Sequence, residues 1–161
     1  MPKTTSYHIK DESALYQLTF TTIGWVDVFT RQSYCDIIID SLRYCIKEKG
    51  LQLFGYVIMN NHMHLICRVK KGNKLSEIVR DFKKYTAKKI IHEIQTNPES
   101  RKDWMIVIFS KAGKSNPNNK EFQLWKQDNH PIELYFDSVF IQKLNYIHNN
   151  RYYLKQKYGT F

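Results

Sequence analysis

Hydrophobic and polar positions fall into two periods along this chain, and their alternation outlines the architecture. Residues 15–23, LYQLTFTTI, alternate and are rich in β-formers, which predicts a strand. RQSYCDIIIDSLRYCIKEKG repeats its apolar positions 34, 37, 38, 42, 45 and 46 at helical spacing, with Thr30 placed to cap it and Gly50 to end it. LQLFGYVIM and HMHLICRVK predict two strands joined by Asn60-Asn61, a pair that tolerates the positive φ of a tight hairpin. Gly72-Asn73 opens a second helix over about 74–95, with apolar residues at 75, 78, 79, 82, 86 and 90. WMIVIF, residues 104–109, predicts a further strand.

Strand, helix, strand, strand, helix, strand is the split βαβ order. The expected class is therefore α+β: a ferredoxin-like antiparallel sheet with helices packed on it. After this core of about 15–110, SKAGKSNPNNKE predicts a polar loop and FQLWKQDNHPIELYF an irregular aromatic stretch. DSVFIQKLNYIHNN predicts a helix capped by Asp137, within a C-terminal extension of about 120–161. No internal repeat or domain-length linker interrupts the chain, so one domain is expected.

The hairpin's second strand carries the first chemical signal. Side chains two apart on a strand share a face, so His62, His64, Ile66 and Arg68 point one way and the wholly apolar Met63, Leu65, Cys67 and Val69 the other. Parity removes Cys67 as a partner for the histidines. Two imidazoles beside an arginine are too few for a closed structural zinc site but suit an open catalytic one; the plain alternative is two polar residues on an exposed face.

Composition narrows the class of partner. The chain has 25 Lys and Arg against 15 Asp and Glu, a formal charge of +10, which favours a polyanion such as nucleic acid. No stretch reaches the roughly 18 uninterrupted apolar residues of a membrane span, and MPKTTSYHIKDES lacks the apolar middle of a secretory signal. Three cysteines without CxxC spacing suit reduced thiols, and a cytoplasmic location is expected.

A second cluster lies on the predicted helix SEIVRDFKKYTAKKI. At about 100° per residue, Tyr85 falls at the edge of the apolar stripe, near Asp81 and Lys89, with Lys83, Lys84 and Lys88 on neighbouring faces where a phosphate backbone could run. Its plain reading is a half-buried tyrosine on a basic amphipathic helix. Lys111, Lys114 and Lys120 in the polar loop are weaker candidates for phosphate contact.

Taken in order, these pieces resemble a family. His62-Met63-His64 on a hairpin, followed by a helix with Phe82, Lys83, Tyr85 and Thr86 as F-K-x-Y-T, resembles the single-tyrosine HUH transposases. FQLWKQDNHPIEL and LNYIHNN, with Trp125, His130, Tyr146 and His148, resemble more specifically the REP-associated tyrosine transposases, relatives of insertion-sequence transposases. The resemblance spans about residues 15–150.

The resemblance implies a metal-dependent nuclease and strand transferase acting on single-stranded, hairpin-forming DNA, as monomer or homodimer. It implies that His62 and His64 hold a divalent cation, Mg²⁺ or Mn²⁺, and that Tyr85 is the nucleophile that forms a 5′-phosphotyrosine. Lys83, Lys84, Lys88, Lys89 and Arg68 are the expected DNA contacts. The family supplies a third ligand, an amide or acid about one helical turn beyond the tyrosine. Position 89 here is lysine, which leaves Asp81, His92 or water. The family also continues YIHxN into a Pro-Val segment, whereas this chain reads NNRYYLKQKYGTF, a shortened tail. A non-catalytic, domesticated nucleic-acid-binding protein on the same fold is the alternative, since such sheets bind single strands by stacking. A small-molecule metal hydrolase fits less well, because nothing else in the chain resembles a general base near the histidines.

Overall fold

The protein is described from a computed structural model that covers residues 8–119 and 121–158, with side chains up to residue 149 in the last helix. In chain order the elements are β1 (Tyr16–Thr21), α1 (Gln32–Glu48), β2 (Leu51–Ile58), β3 (His62–Val69), α2 (Leu75–Thr96), α3 (Lys102–Lys114), β4 (Ile132–Glu133) and α4 (Asp137–Tyr158). The strands form one antiparallel sheet in the order β2-β3-β1-β4, the spatial order of a ferredoxin-like sheet. Among the described residues no helix is long and apolar enough to cross a membrane.

Alternation along β1 and β3 divides the molecule into two layers. Leu18, Phe20, Met63, Leu65, Cys67 and Val69 point to one side, where Ile38 and Leu42 of α1 and Leu75, Ile78, Phe82, Ile90 and Ile94 of α2 close the main core. The opposite side carries Ile66 and Val57, covered by Leu134 and by Ile147 of α4 in a smaller core. Gln17, Thr19 and Thr21 face this second side too, since they pair in register with Ile66, His64 and His62. At Gly55 a Cβ would stand 3.0 Å from Leu144 Cδ1, so the missing side chain lets α4 seat closely on β2.

Several local expectations are corrected. WMIVIF is helical, not a strand: it lies inside α3, where Met105, Phe109 and Gly113 are buried at a spacing of four and Trp104 and Val107 are exposed. A Cβ at Gly113 would meet the backbone of Glu121 at 2.5 Å, so the return of the chain is packed directly on that helix. The fourth strand is instead the two-residue Ile132–Glu133, paired with Gln17 and Tyr16. Thr30 does not cap α1; its hydroxyl donates to the Asp27 carbonyl, and Arg31 occupies the N-cap position without a side-chain cap bond. Asn60 and Asn61 make the hairpin turn without positive φ, which among described non-glycine residues is found at Trp25 and His130. Gly50, at φ 75°, ends α1 as expected. Lys111 and Lys114 lie in the last turns of α3 rather than in a loop, and Lys120 lies outside the described residues.

Candidate active site

His62 and His64 stand side by side at the start of β3, their ring centroids 5.1 Å apart and their planes at 79°. The strand's pleat puts both on the face away from the main core, and each is held by a neighbour through Nδ1. Asn61 Oδ1 lies 2.8 Å from His62 Nδ1, while Asn61 Nδ2 donates to the Trp25 carbonyl and to Asp27 Oδ1, both at 3.3 Å. Two acceptors on Nδ2 fix the amide's orientation, and an amide oxygen only accepts, so His62 carries its proton on Nδ1. On the neighbouring strand Thr19 Oγ1 engages His64 Nδ1 at 2.9 Å. In both rings Nε2 is the nitrogen left for a ligand.

Burial depresses both imidazoles. His62 is lowered by desolvation, and His64 is lowered to about 4 by desolvation, with the positive charges of His62 and Lys143 adding to it. Two neutral imidazoles, each oriented by one hydrogen bond at Nδ1, are a donor set that fits an open divalent-metal site. Among the described residues no third His, Cys, Asp or Glu joins them.

A tyrosine does join them, from the last helix. α4 crosses the histidine face and sets the Tyr146 ring against His64, centroids 5.7 Å apart at 75°. Tyr146 is half exposed, so its ring edge reaches solvent beside the pair. Lys143, one turn earlier on α4, is near enough to act electrostatically on His64. One turn later the sequence reads Asn149-Asn150, amides at the spacing that position 89 could not supply after Tyr85. That amide spacing was the signal that could have singled out Tyr146 from the sequence.

The other expected residues are not brought to the pair. Tyr85, expected as nucleophile, lies in the α1/α2 layer across the sheet from the histidines. It lines an open groove of about 580 Å³ with Tyr44, Cys45, Asp81 and Lys89. The physical reason is parity: α2 packs on the odd face of β3, and a residue at the edge of its apolar stripe is directed along that layer, not through the sheet. Asp81 pairs with Arg80 at 3.0 Å and His92 is exposed on α2, so neither is placed to complete the histidine pair. Lys84 and Lys88 are exposed on α2, and the Lys89 ammonium lies 5.9 Å from the Tyr85 ring centroid. Arg68 shares the histidines' strand face, but its Nε donates to Gln52 Oε1 at 2.8 Å and its guanidinium covers Phe54 at 5.4 Å.

Lys83 is not a free phosphate contact. Its Nζ donates to the carbonyls of Lys126 and Gln127 at 2.7 and 3.1 Å and to Asn129 Oδ1 at 2.7 Å, and burial lowers it to about 8. Thr86 accepts a hydrogen bond from Trp125 Nε1 at 3.0 Å, and the Trp125 ring stacks on Phe29 at 5.6 Å. The F-K-x-Y-T segment thus straps residues 125–129 onto α2 and the end of the sheet. Its visible work is architectural.

The profile of the family described as transposase IS200 like matches residues 11–112. Among solved structures, a REP-associated tyrosine transposase bound to a REP hairpin is similar in fold, with a TM-score of 0.58 at 12% identity over 93% of this chain and 72% of that one. A candidate transposase from Deinococcus radiodurans R1 superposes with a TM-score of 0.52 at 18% identity, over 92% of this chain and 97% of the other. No protein of curated function matches the chain.

Proposed function

The chain belongs to the IS200-like transposase family, and on that premise we propose that it cuts and rejoins single-stranded DNA at hairpin-forming ends, with Tyr146 as nucleophile beside a cation held by His62 and His64. The observation that carries this reading is the approach of Tyr146 to His64 on the sheet face opposite the main core. Hairpin DNA as substrate class is supported by the similar fold that binds a REP hairpin.

A divalent cation, when bound, neutralises charge on the non-bridging oxygens of the scissile phosphate. The chain's own residues do the rest. Thr19 and Asn61 keep Nδ1 of each histidine engaged, which leaves Nε2 of both adjacent rings to hold the cation. The Tyr146 hydroxyl oxygen attacks phosphorus in line, the P–O3′ bond breaks, and the departing oxygen takes a proton to become a free 3′-OH. The tyrosine's own proton passes to solvent at its exposed edge. The product is a 5′-phosphotyrosine, an ester whose retained energy allows a 3′-OH to reverse the step without ATP. A phenol of reference pKa about 10 needs help to ionise, and the Lys143 ammonium on the same helix face supplies a positive charge for it.

The test uses a 3′-labelled hairpin strand with Mn²⁺, resolved on a denaturing gel. Wild type should leave protein attached to the 5′ end of the downstream product. Tyr146→Phe should abolish the adduct and Tyr85→Phe should keep it. An adduct that survives Tyr146→Phe and vanishes in Tyr85→Phe would return the role to Tyr85. The second reading, a binding protein without catalysis, draws on the lack of a third acidic, cysteine or histidine ligand among the described residues. It becomes the better account if wild type binds hairpin strands tightly and forms no adduct.

A further inference from the structure

Trp25 is a large ring left more than half exposed, at 59%, in the turn that follows β1. A single exposed aromatic needs no explanation by itself. Three further facts set this one apart. Its backbone sits at φ 55°, directly after Gly24 at φ 64°, a left-handed conformation that a bulky residue adopts only when its surroundings impose it. The surroundings are named: Asn61 Nδ2 donates to the Trp25 carbonyl, and Asn61 Oδ1 accepts a hydrogen bond from His62 Nδ1–H. One amide therefore holds both the tryptophan's backbone and the first histidine.

The third fact is a cation. Lys126 Nζ lies 4.0 Å from the Trp25 ring centroid, close enough for a cation–π contact that steadies the ring. Lys126 is itself fixed at this end of the sheet. Its N–H donates to the Thr21 carbonyl at 2.8 Å, and Thr21 lies opposite His62 in the β1–β3 register. Its own carbonyl accepts from Lys83. The strap described above thus delivers a lysine to an exposed tryptophan beside the histidine pair.

We propose that Trp25 and Lys126 form a stacking platform for one unpaired nucleobase of single-stranded DNA, next to the phosphate that lies over His62 and His64. The ring supplies the π-face, which accepts any base, and Lys126 supplies a charge for the adjoining phosphate. This rests on the proposed function and deepens it: Trp25 is a residue that positions the strand, not one that reacts.

The experiment walks 2-aminopurine, a fluorescent adenine analogue quenched by stacking, through the unpaired nucleotides flanking a hairpin. The full-length protein binds each strand in EDTA, so binding is read without cleavage. Wild type should quench one or two adjacent positions at the cut site, and Trp25→Ala should restore fluorescence there alone. Affinity should fall roughly five- to a hundred-fold, the range for losing one base–aromatic stack, with thermal melting unchanged. Trp25→Phe should recover most of it, and Lys126→Gln should lower the salt slope of binding by about one. Trp25→Ala that binds within twofold of wild type with the same quenching pattern overturns the platform while the transposase reading stands. Uniform loss of quenching together with a lower melting point assigns Trp25 a structural role and also overturns it. If wild type binds and cuts no hairpin strand, the transposase reading fails and the platform fails with it.

Discussion

Replacing Lys83 by methionine separates an architectural lysine from a DNA-binding one. Methionine keeps most of the stem's packing volume and removes the ammonium, with its bonds to two backbone carbonyls and the Asn129 amide oxygen. A hydrogen bond from a charged donor contributes roughly 1.5–3 kcal/mol. Three would sum far higher, but Gln127 is exposed and water can replace some of these bonds in the variant. The ammonium also gives up hydration on burial, which is why its pKa falls to about 8. A net loss of about 2 kcal/mol is the reasonable expectation. For a domain of this size that lowers Tm by about 4–8 °C. The assay is thermal melting at pH 7 beside single-strand binding across a salt series. Lys83→Met should melt earlier while the slope of log K against log salt stays at the wild-type value. A variant that melts with wild type and loses about one unit of slope would mean that Lys83 binds phosphate, and would refute the strap.

Three further outcomes follow from the same geometry. Gly55→Val should push Leu144 and α4 away from β2, slowing adduct formation at least tenfold while costing stability only about 1–3 kcal/mol; unchanged cleavage would detach the seat of α4 from the chemistry. Lys89→Gln, which places an amide one turn beyond Tyr85, should leave Mn²⁺ affinity and cleavage unchanged, because that helix lies across the sheet from the histidines; a clear gain in either would contradict this placement. His64 titrates near 4 when folded and near 6.5 when free, so between those values the unfolded chain binds more protons and stability falls as pH drops. After discount for its exposed part the loss is about 2 kcal/mol, all of it regained above pH 6.5. Urea midpoints at pH 7 and 4.5 should fall further in wild type than in His64→Asn, which keeps only the smaller dependence of the likewise depressed His62 and of the carboxylates.

The layers of this protein were legible from sequence where a local period decided them. Alternation in HMHLICRV was enough to send Cys67 inward and the histidines outward, because parity on a strand is set by geometry rather than by distant contacts. The helices from 32 and 75 were legible for the same reason. WMIVIF was not, since a short apolar run suits a strand or a buried helix equally; burial at Met105, Phe109 and Gly113 decides for helix only once the chain's return at Glu121 is known. The true edge strand, two residues long with Ile132 exposed, offers no alternation to read.

The tyrosine that stands beside the histidines was obscured by a different cause. Tyr85 and Tyr146 both follow the histidines, both sit on helices, and both are about half exposed, so spacing along the chain cannot rank them. What ranks them is the face of the sheet that each helix covers. A helix that follows β3 after a short turn must pack on the apolar odd face, because Met63, Leu65, Cys67 and Val69 have to be buried by something. That necessity takes α2, and Tyr85 with it, away from the histidines. The even face of β3 holds two polar imidazoles, an arginine and a single isoleucine, too little apolar surface to recruit a helix locally, so it is covered late, by α4 seated over Gly55, Val57 and Ile66. The contact between His64 and Tyr146 accordingly forms where the fold closes last in sequence. The F-K-x-Y-T segment contributes from the far side by fixing residues 125–129, whose Lys126 returns to the histidine end of the sheet. One face is therefore built to bury, the other to hold the histidine pair, and Lys83 and Thr86 of α2 tie the burying layer to the segment that borders the histidines.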